Sequence, residues 1–452
     1  MIQNLTKGSP LKLITLFCLP LFIGNFFQQL YHVTDILIVG RLIGVNALAA
    51  VGASAPIFFV FLLIAFGFTN GLTVITAQKF GADDYDAMRS SVAHSIVVSA
   101  ILCLVMSVFL IVFLRPILHI MNVPAEIEDD AALFMNILSF GIMMIVFYNL
   151  LSCVVRALGD SKTPLYFLVF STVLNVILNF VLIYYFGFGV AGSALGTVLS
   201  VSSILILYGI YVWKHFPIIR LSKADFRYRK DILSSQLKIA VPMSIQFSVL
   251  SISMMVIQGT CNTFGPEVIA AFTAALRIEQ LATQPLLALG MAMATFAAQN
   301  FGAKKLSRIR QGARLATTAA FLISVAASLL VFYVGRDMIA VFLNEQNDFI
   351  VEIGKMYLSI STMFYFFLGL IFVYRNVLQG MGKAVLPLVA SIVELLLRSF
   401  AAVYLAALMG YKGIFYASPI AWVGASSVVI IGYVIIIRRF SFANQTHKKR
   451  LS

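Results

Sequence analysis

Apolar runs of roughly 20 residues follow one another along the chain, and each is long enough to cross about 30 Å of hydrocarbon as a helix. Only 11% of the 452 residues are charged, which is far below the share in soluble proteins. The mean hydropathy is +0.98. These runs predict an all-α membrane protein with about twelve transmembrane helices.

The expected spans divide into two sets of six. The first set covers residues 11–39, 48–76, 92–114, 133–155, 164–186 and 190–213. The second covers residues 239–261, 268–295, 315–334, 350–374, 386–408 and 414–437. Because six is even, each set begins and ends on the same side of the membrane.

The second half of the chain repeats the first. The motif Ala-Gln-Lys-Phe-Gly-Ala at 77–82 recurs as Ala-Gln-Asn-Phe-Gly-Ala at 298–303, and arginines follow at equal spacing, Arg89 and Arg310. Two further pairs of motifs recur at nearly the same offset. We therefore expect two six-helix lobes related by a pseudo-two-fold axis along the membrane normal. Secondary transporters are often built this way, with the substrate site at or between the repeats.

Lysine and arginine are concentrated in alternate loops, and this pattern predicts that both termini and the central loop are cytoplasmic. The formal charge of +14 is thus a topology signal, which we favour over lipid or nucleic-acid binding. The central basic loop is the natural boundary between lobes. The expected organisation is an N-terminal lobe at 1–213, a basic linker at 214–238, a C-terminal lobe at 239–440 and a basic tail at 441–452.

Asp35 is the strongest candidate for a coupling site. An ionisable group in hydrocarbon costs about 2.5–3.5 kcal/mol on insertion scales, so its presence needs a reason. Asp35 lies in an unusually polar part of the first span, with Gln28, Tyr31 and His32. A buried carboxyl there would bind a proton or a cation. The alternative is a carboxyl that reaches outward to water near Arg41.

Asn175 and Asn179 are four residues apart in the fifth span, so they share one helical face. Two such amides can tie helices together by hydrogen bonds, or they can offer carbonyl oxygens to a cation. Thr197 in the sixth span and Asn149 in the fourth are weaker candidates of the same kind. The candidate Na⁺ ligands are Asp35, Asn175 and Asn179.

The second half also carries charges within its spans. Glu394 and Arg398 are an i, i+4 pair that we expect to neutralise itself, although a second charge relay or drug site is the alternative. Arg277 and Glu279 lie in the eighth span. Flexible methionines suit varied apolar ligands, but they also serve as plain packing. The candidate substrate-binding residues are Gln28, Tyr31, His32, Met255, Arg277, Glu279 and Met291.

Motifs of enzymes are missing from the sequence. It has no Gly-x-x-x-x-Gly-Lys-Ser/Thr loop, no His-Glu-x-x-His and no Gly-x-Ser-x-Gly. The four cysteines show no spacing typical of disulfides or metal sites. We therefore expect a protein that is not an enzyme and needs no cofactor, with transport driven by a gradient of Na⁺, H⁺ or the substrate itself.

The chain resembles the multidrug and toxic compound extrusion (MATE) family over about residues 11–439. The resemblance is carried by the paired Ala-Gln-x-Phe-Gly-Ala motifs, by Arg-Ala-Leu-Gly-Asp-x-Lys-x-Pro at 156–164 and by Val-Thr-Asp at 33–35. It implies two lobes of six helices, a V-shaped central cavity, and drug export in exchange for Na⁺ or H⁺. The pattern is most similar to the small bacterial exporters of the MepA type.

The resemblance also implies roles for single residues. Asp35 matches the family's first-span carboxylate in an N-lobe cation site, and Asn149, Asn175 and Thr197 match polar residues of the same lobe. Asn179 replaces the aspartate of one branch, which puts a proton mechanism with two carboxylates in doubt. The seventh-span glutamate of another branch is not matched, because Ser248 and Val249 occupy that neighbourhood.

The sequence thus predicts a cation-coupled multidrug efflux antiporter in a bacterial inner or plasma membrane. Its substrates are expected to be amphipathic, often cationic, drugs or toxins, so it would confer antibiotic resistance. We expect it to act as a monomer, within the lipid bilayer and without nucleic acid. The alternative is a flippase for a lipid or lipid-linked sugar. A channel is a third interpretation, which two dissimilar lobes without ring symmetry disfavour.

Overall fold

The computed structural model describes the backbone of residues 3–343 and 348–449. Side chains are described in the same ranges except at 30–37, 39–41, 45–46, 341–343 and 441–449. Within these ranges all regular secondary structure is helical. The expectation of an all-α membrane protein is confirmed.

The first half of the chain contains six long helices. They are α1 (Pro10–Leu42), α2 (Val45–Gly81), α3 (Tyr85–Ile120), α4 (Ala125–Ala157), α5 (Lys162–Phe180) and α6 (Gly189–His215). A π-helical turn, Val181–Tyr185, continues α5. Two 3₁₀ turns, Pro217–Ile219 and Lys223–Phe226, follow α6.

The second half contains eight further α-helices. They are α7 (Lys230–Cys261), α8 (Pro266–Gly302), α9 (Leu306–Leu343), α10 (Asp348–Thr362), α11 (Tyr365–Gly380), α12 (Val385–Met409), α13 (Tyr411–Ile414) and α14 (Ala417–Lys449). Among the described residues, eleven helices are long and apolar enough to cross a membrane, and the count rises to twelve when α10 and α11 are taken as one span. The protein is therefore a multi-pass membrane protein.

The tenth span is broken, whereas the sequence predicts one uninterrupted helix at 350–374. The axes of α10 and α11 differ by 51°. At the break the N–H of Phe364 donates to the carbonyl of Ser361 at 3.0 Å. The hydroxyl of Ser328, on α9, donates to the carbonyl of Thr362 at 2.9 Å. A side chain thus satisfies a carbonyl that the helix leaves open, as a break within a membrane requires.

Backbone contacts divide the chain into two compact units. The first comprises Ile23–Ser244 and the chain up to Asn4, and the second comprises Leu5–Phe22 and the chain from Ile245 onward. The opening turns of α1 therefore belong to the second unit, and the opening turns of α7 belong to the first. The expected lobe boundaries at 213 and 239 stay predictions.

Polar contacts fasten the opening turns of α7 within the first unit. The Gln236 side chain amide donates to the carbonyl of Ser91 at 2.9 Å and lies 2.8 Å from the Ser95 hydroxyl. Gln236 is fully buried. Gly71 on α2 faces the backbone of Ala240, and a β-carbon on Gly71 would overlap the Cα of Ala240. The missing side chain is what lets these two helices approach so closely.

The segment that precedes α1 is held in the second unit by the repeated motif at 298–303 and by Lys305. The N–H of Leu5 donates to Oε1 of Gln299 at 2.8 Å, and the Asn300 amide donates to the carbonyl of Leu5 at 3.2 Å. Lys305 donates to the carbonyl of Thr6 at 3.0 Å. The sequence shows this motif only as part of the internal repeat and of the family resemblance, so its function in holding a distant segment is an addition from the structure.

The approach of α7 to α2 can be tested with two glycines of the same helix. Gly71→Ala should lower the free energy of unfolding by about 1–3 kcal/mol, because the new methyl group overlaps backbone atoms that cannot rotate away. Gly52→Ala is the matched control, since a β-carbon at that position would meet nothing within 4 Å. The control should be neutral or stabilising by up to about 1 kcal/mol. The measurement is thermal unfolding of both purified proteins in detergent, and equal midpoints would contradict the close approach.

Candidate functional site

Three of the predicted site residues are brought together in the first unit. The Asn179 amide donates to Oδ1 of Asn175 at 3.2 Å, and the Asn175 amide donates to the Thr197 hydroxyl at 3.3 Å. Asn175 is 1% exposed and Asn179 is fully buried. The group therefore spans α5 and α6 and supplies amide and hydroxyl oxygens, which are ligands suited to hard cations.

Gly196 makes room for this group. It lies on α6, and a β-carbon there would overlap Oδ1 of Asn179. The π-helical turn at Val181–Tyr185 begins two residues after Asn179, and such turns often accompany functional sites. Sequence reasoning missed Gly196, because only the structure shows which amide it faces.

Asn149 is linked to a different helix. Its amide donates to the hydroxyl of Thr69 on α2 at 2.6 Å. Thr69 is fully buried and Asn149 is half-buried. The described hydrogen bond of Asn149 thus connects it to α2 and not to Asn175 on α5. Thr69 is a polar partner that sequence reasoning did not identify.

Asp35 lies in α1, but its side chain is outside the described residues, as are those of Tyr31 and His32. Gln28 is exposed. The backbone of α1 nevertheless fixes a register. Phe27 on α1 and Val169 on α5 line the same cleft, and both helices are odd-numbered spans that cross in one direction.

A helix rises 1.5 Å per residue, so the distance of each candidate along its helix axis can be counted from the residue that lines the cleft. Asp35 follows Phe27 by about 12 Å of helix, and Asn175 and Asn179 follow Val169 by about 9 Å and about 15 Å. For two straight, parallel helices, this register would place the backbone of Asp35 between the depths of the two asparagines.

The cleft itself is almost wholly apolar. It is an open groove of about 370 Å³, and its lining residues Tyr166, Phe170 and Val173 are 66%, 52% and 51% exposed. A β-carbon on Gly24 would contact Leu165 and Leu168 at 3.6 Å, so α1 and α5 pack closely beside it. The cleft is lined by Ile23, Phe27, Leu165, Tyr166, Val169, Phe170 and Val173.

The second unit contains a buried cluster of charged side chains. Glu394 accepts from Arg398 at 2.7 Å and from Arg375 at 2.8 Å, one guanidinium on each carboxylate oxygen. Arg398 also donates to the hydroxyl of Ser253 at 2.8 Å. The side chains of the three charged residues are at most 6% exposed. The expected pairing of Glu394 with Arg398 is confirmed, and Arg375 is an additional partner.

Glu279 and Arg277 do not form a pair. Arg277 is exposed and lies 3.4 Å from Gln280, whereas Glu279 is buried and accepts from the hydroxyl of Tyr357 at 3.1 Å. Residues two apart on a helix point in different directions, which explains the separation.

The methionines differ in their surroundings. Met255 is 67% exposed, and Met291 packs against the core of the second unit. Their roles in substrate binding stay predictions. In the part of the chain that the structure describes, no three side chains of His, Cys, Asp or Glu form a possible metal site.

Comparison with known families decides what kind of protein carries these groups. A model of the MatE family matches residues 20–181 and, a second time, residues 242–404. The chain belongs to the MatE family. Both matched ranges are nearly equal in length, and each falls in one copy of the internal repeat.

Relatives within the MatE family cover almost the whole chain. The probable multidrug resistance protein YpnP of Bacillus subtilis is 31% identical, over 95% of this chain and 96% of its own. A multidrug export protein MepA of Staphylococcus aureus is 23% identical over 83% of each chain. The resemblance found in the sequence is thereby confirmed.

Solved structures show the same MatE fold. The outward-facing conformation of a multidrug resistance MATE family transporter of the MOP superfamily superposes with a TM-score of 0.90. The match covers 97% of this chain and 98% of that one at 24% identity. At this identity the likeness shows the fold alone.

The charge cluster of the second unit can be tested by removing its only carboxylate. Glu394→Gln should lower the free energy of unfolding by about 3–5 kcal/mol, because two buried guanidinium groups lose their counter-ion. Glu352→Gln is the control, since that acid is 61% exposed and lies 3.9 Å from Lys355. Its effect should stay within about 1 kcal/mol. Thermal unfolding in detergent distinguishes the two, and a tolerant Glu394→Gln protein would overturn the ion-pair assignment.

Proposed function

We propose that this protein is a multidrug efflux antiporter that exports amphipathic, often cationic, organic compounds in exchange for Na⁺ or H⁺. The observation that carries the proposal is membership of the MatE family over both halves, together with relatives named for multidrug resistance and export. The nearly apolar cleft between α1 and α5 supports amphipathic substrates, because a lipophilic part of a drug gains most from such walls.

The coupling step is assigned to the first unit. The carboxylate of Asp35 takes up a proton or, with the oxygens of Asn175 and Asn179, a Na⁺ ion. The register of α1 and α5 supports this grouping, since helical rise from the shared cleft would bring the backbone of Asp35 between the depths of Asn175 and Asn179. Neutralising Asp35 removes its attraction for a cationic drug. The outward-open state then releases the drug, and alternating access returns the carrier inward.

The asparagine at 179 shapes this mechanism. An amide cannot release a proton, so Asp35 is the only carboxylate of the proposed group and would carry one charge per cycle. The amides then serve by offering oxygen atoms and by fixing the spacing between α5 and α6. We place the protein in a bacterial inner or plasma membrane with both termini cytoplasmic, as a monomer, on the distribution of lysine and arginine and on its bacterial relatives.

The test is efflux of a fluorescent lipophilic cation from proteoliposomes, with Na⁺ and pH gradients imposed separately. The normal protein should export under one of the two gradients, which identifies the coupling ion. Asp35→Asn should lose at least about 90% of that gradient-driven export, since the amide can neither bind a proton nor attract the ion as a carboxylate does. Asp348→Asn is the control, because this aspartate is exposed and pairs with Arg336 at 2.8 Å.

Full gradient-driven export by Asp35→Asn would sink the assignment of Asp35. Export by the normal protein under neither gradient, with the protein folded, would move the function to the alternative, a flippase for a lipid or lipid-linked sugar. Movement of a labelled lipid between leaflets in the same vesicles would then identify that activity.

The amide group can be tested separately through Gly196. Gly196→Ala should reduce export by about tenfold or more, because the methyl group displaces the Asn179 carboxamide from Asn175 and opens the spacing between α5 and α6. Gly209→Ala in the same helix is the matched control, since its β-carbon meets nothing within 4 Å. It should export normally and unfold no earlier. A Gly196→Ala protein with unchanged export would contradict a role for this group.

A further inference from the structure

The connection between α6 and α7 is a folded element. Its two 3₁₀ turns, Pro217–Ile219 and Lys223–Phe226, leave Phe216 and Ile219 buried in a core cluster that also includes Met88 of α3. The connection is thus anchored to the start of α3 by apolar packing.

Polar contacts hold the same element in place. The N–H of Arg229 donates to Nε2 of His94 at 3.1 Å. Asp225 lies 3.6 Å from Arg89. Burial alone would raise the pKa of Asp225, but the N–H and hydroxyl of Ser222, followed by Arg89, lower it below its ordinary value. The carboxylate therefore stays ionised and the pair with Arg89 persists at neutral pH.

The outer face of this connection is strongly basic. Residues 214–231 contain six lysines and arginines and two aspartates. Asp225 pairs with Arg89, and Asp231 lies 3.2 Å from Arg229. The remaining basic residues are exposed and form no ion pair with a described residue; they are Lys214, Arg220, Lys223, Arg227 and Lys230.

Exposed aromatic rings lie among these charges. Trp213 is 62% exposed, Phe226 is 47% exposed and Tyr228 is 71% exposed. The guanidinium of Arg220 lies 4.9 Å from the centre of the Trp213 ring, and its Nε donates to the Trp213 carbonyl at 2.9 Å. Tryptophan and tyrosine favour the level of lipid headgroups.

The connection joins two helices that are long and apolar enough to cross a membrane, Gly189–His215 and Lys230–Phe264. It therefore lies on one side of the membrane, close to the bilayer. Its anchoring to α3 prevents it from extending into solution. A nucleic acid would have to displace the rings from this interface, whereas a phospholipid offers a phosphate to the cations and acyl chains to the rings.

We propose that this connection, residues 213–230, is a binding surface for anionic phospholipid headgroups. Each basic side chain near an anionic membrane surface strengthens the attraction to that surface roughly fivefold, and the exposed rings favour the level of the headgroups. The proposal concerns the lipid around the protein and does not depend on what the protein transports.

Tryptophan fluorescence reports directly on this surface, because the chain has only two tryptophans. Trp422→Phe leaves Trp213 as the single reporter. The protein is placed in nanodiscs of phosphatidylglycerol and phosphatidylcholine at equal mole fraction, with bromine on the acyl chains of one lipid or the other. We expect brominated phosphatidylglycerol to quench Trp213 several-fold more strongly than brominated phosphatidylcholine, and raised salt should reduce the difference.

The charge requirement is tested by the variant Arg220→Gln, Lys223→Gln, Arg227→Gln and Lys230→Gln. It should lose the preference for phosphatidylglycerol. The matched control is Arg438→Gln with Arg439→Gln, two exposed basic residues near the end of α14, which should keep it. If Trp422→Phe fails to fold, the difference in quenching between the normal protein and Trp213→Phe gives the same reading.

Equal quenching by both brominated lipids in the normal protein would overturn the proposal. A preference that survives neutralisation of the four basic residues would overturn it too, because the enrichment would then come from elsewhere on the protein. This test does not measure efflux, so its failure would not count against the proposed antiport. Likewise, failure of the efflux test would not count against the proposed lipid-binding surface.

Discussion

Every backbone N–H and C=O group inside a membrane must form a hydrogen bond within the protein, and this constraint determines the fold. Continuous helices meet that obligation alone, and most of the chain uses them. The exceptions are the break between α10 and α11 and the π-helical turn after α5. At the break, Ser328 from the neighbouring α9 bonds to the carbonyl of Thr362. Irregular backbone is thus found beside polar side chains. Asn179 lies just before the π-helical turn, and Tyr357, the hydrogen-bond partner of the candidate Glu279, lies a few residues before the break.

Two buried polar groups, one in each unit, differ in their chemistry. The first gathers neutral amides and a hydroxyl around Asn175, and their hydrogen bonds carry no net charge. The second buries Glu394 between Arg375 and Arg398, where each charge depends on the others. Breaking one ion pair of such a cluster is costly, while a neutral group tolerates a change of partner. The amide group is therefore better suited to admit and release an ion, and the charged cluster is better suited to fix the spacing of α11 and α12.

Much of the fold followed from the sequence, because apolar windows of span length leave few alternatives. The grouping of Asn175 with Asn179 and the pair Glu394–Arg398 followed from helical spacing. Other features could not be predicted from the sequence, for physical reasons. The break in the tenth span has neither proline nor glycine, so the sequence predicts a single span that ends just before Arg375. The opening of α7 carries Lys230 and Asp231, which interrupt an apolar window although the backbone is helical. Contacts such as Gly196 with Asn179 depend on tertiary packing alone.

The capture of the start of α1 by the second unit has a consequence for biosynthesis. The partner of the Leu5 amide is Gln299, which is 294 residues further along. A ribosome working from the N-terminus must therefore deliver most of the protein before the first helix finds its final neighbours. A product truncated before α8 would therefore lack the hydrogen bonds that hold the segment before α1.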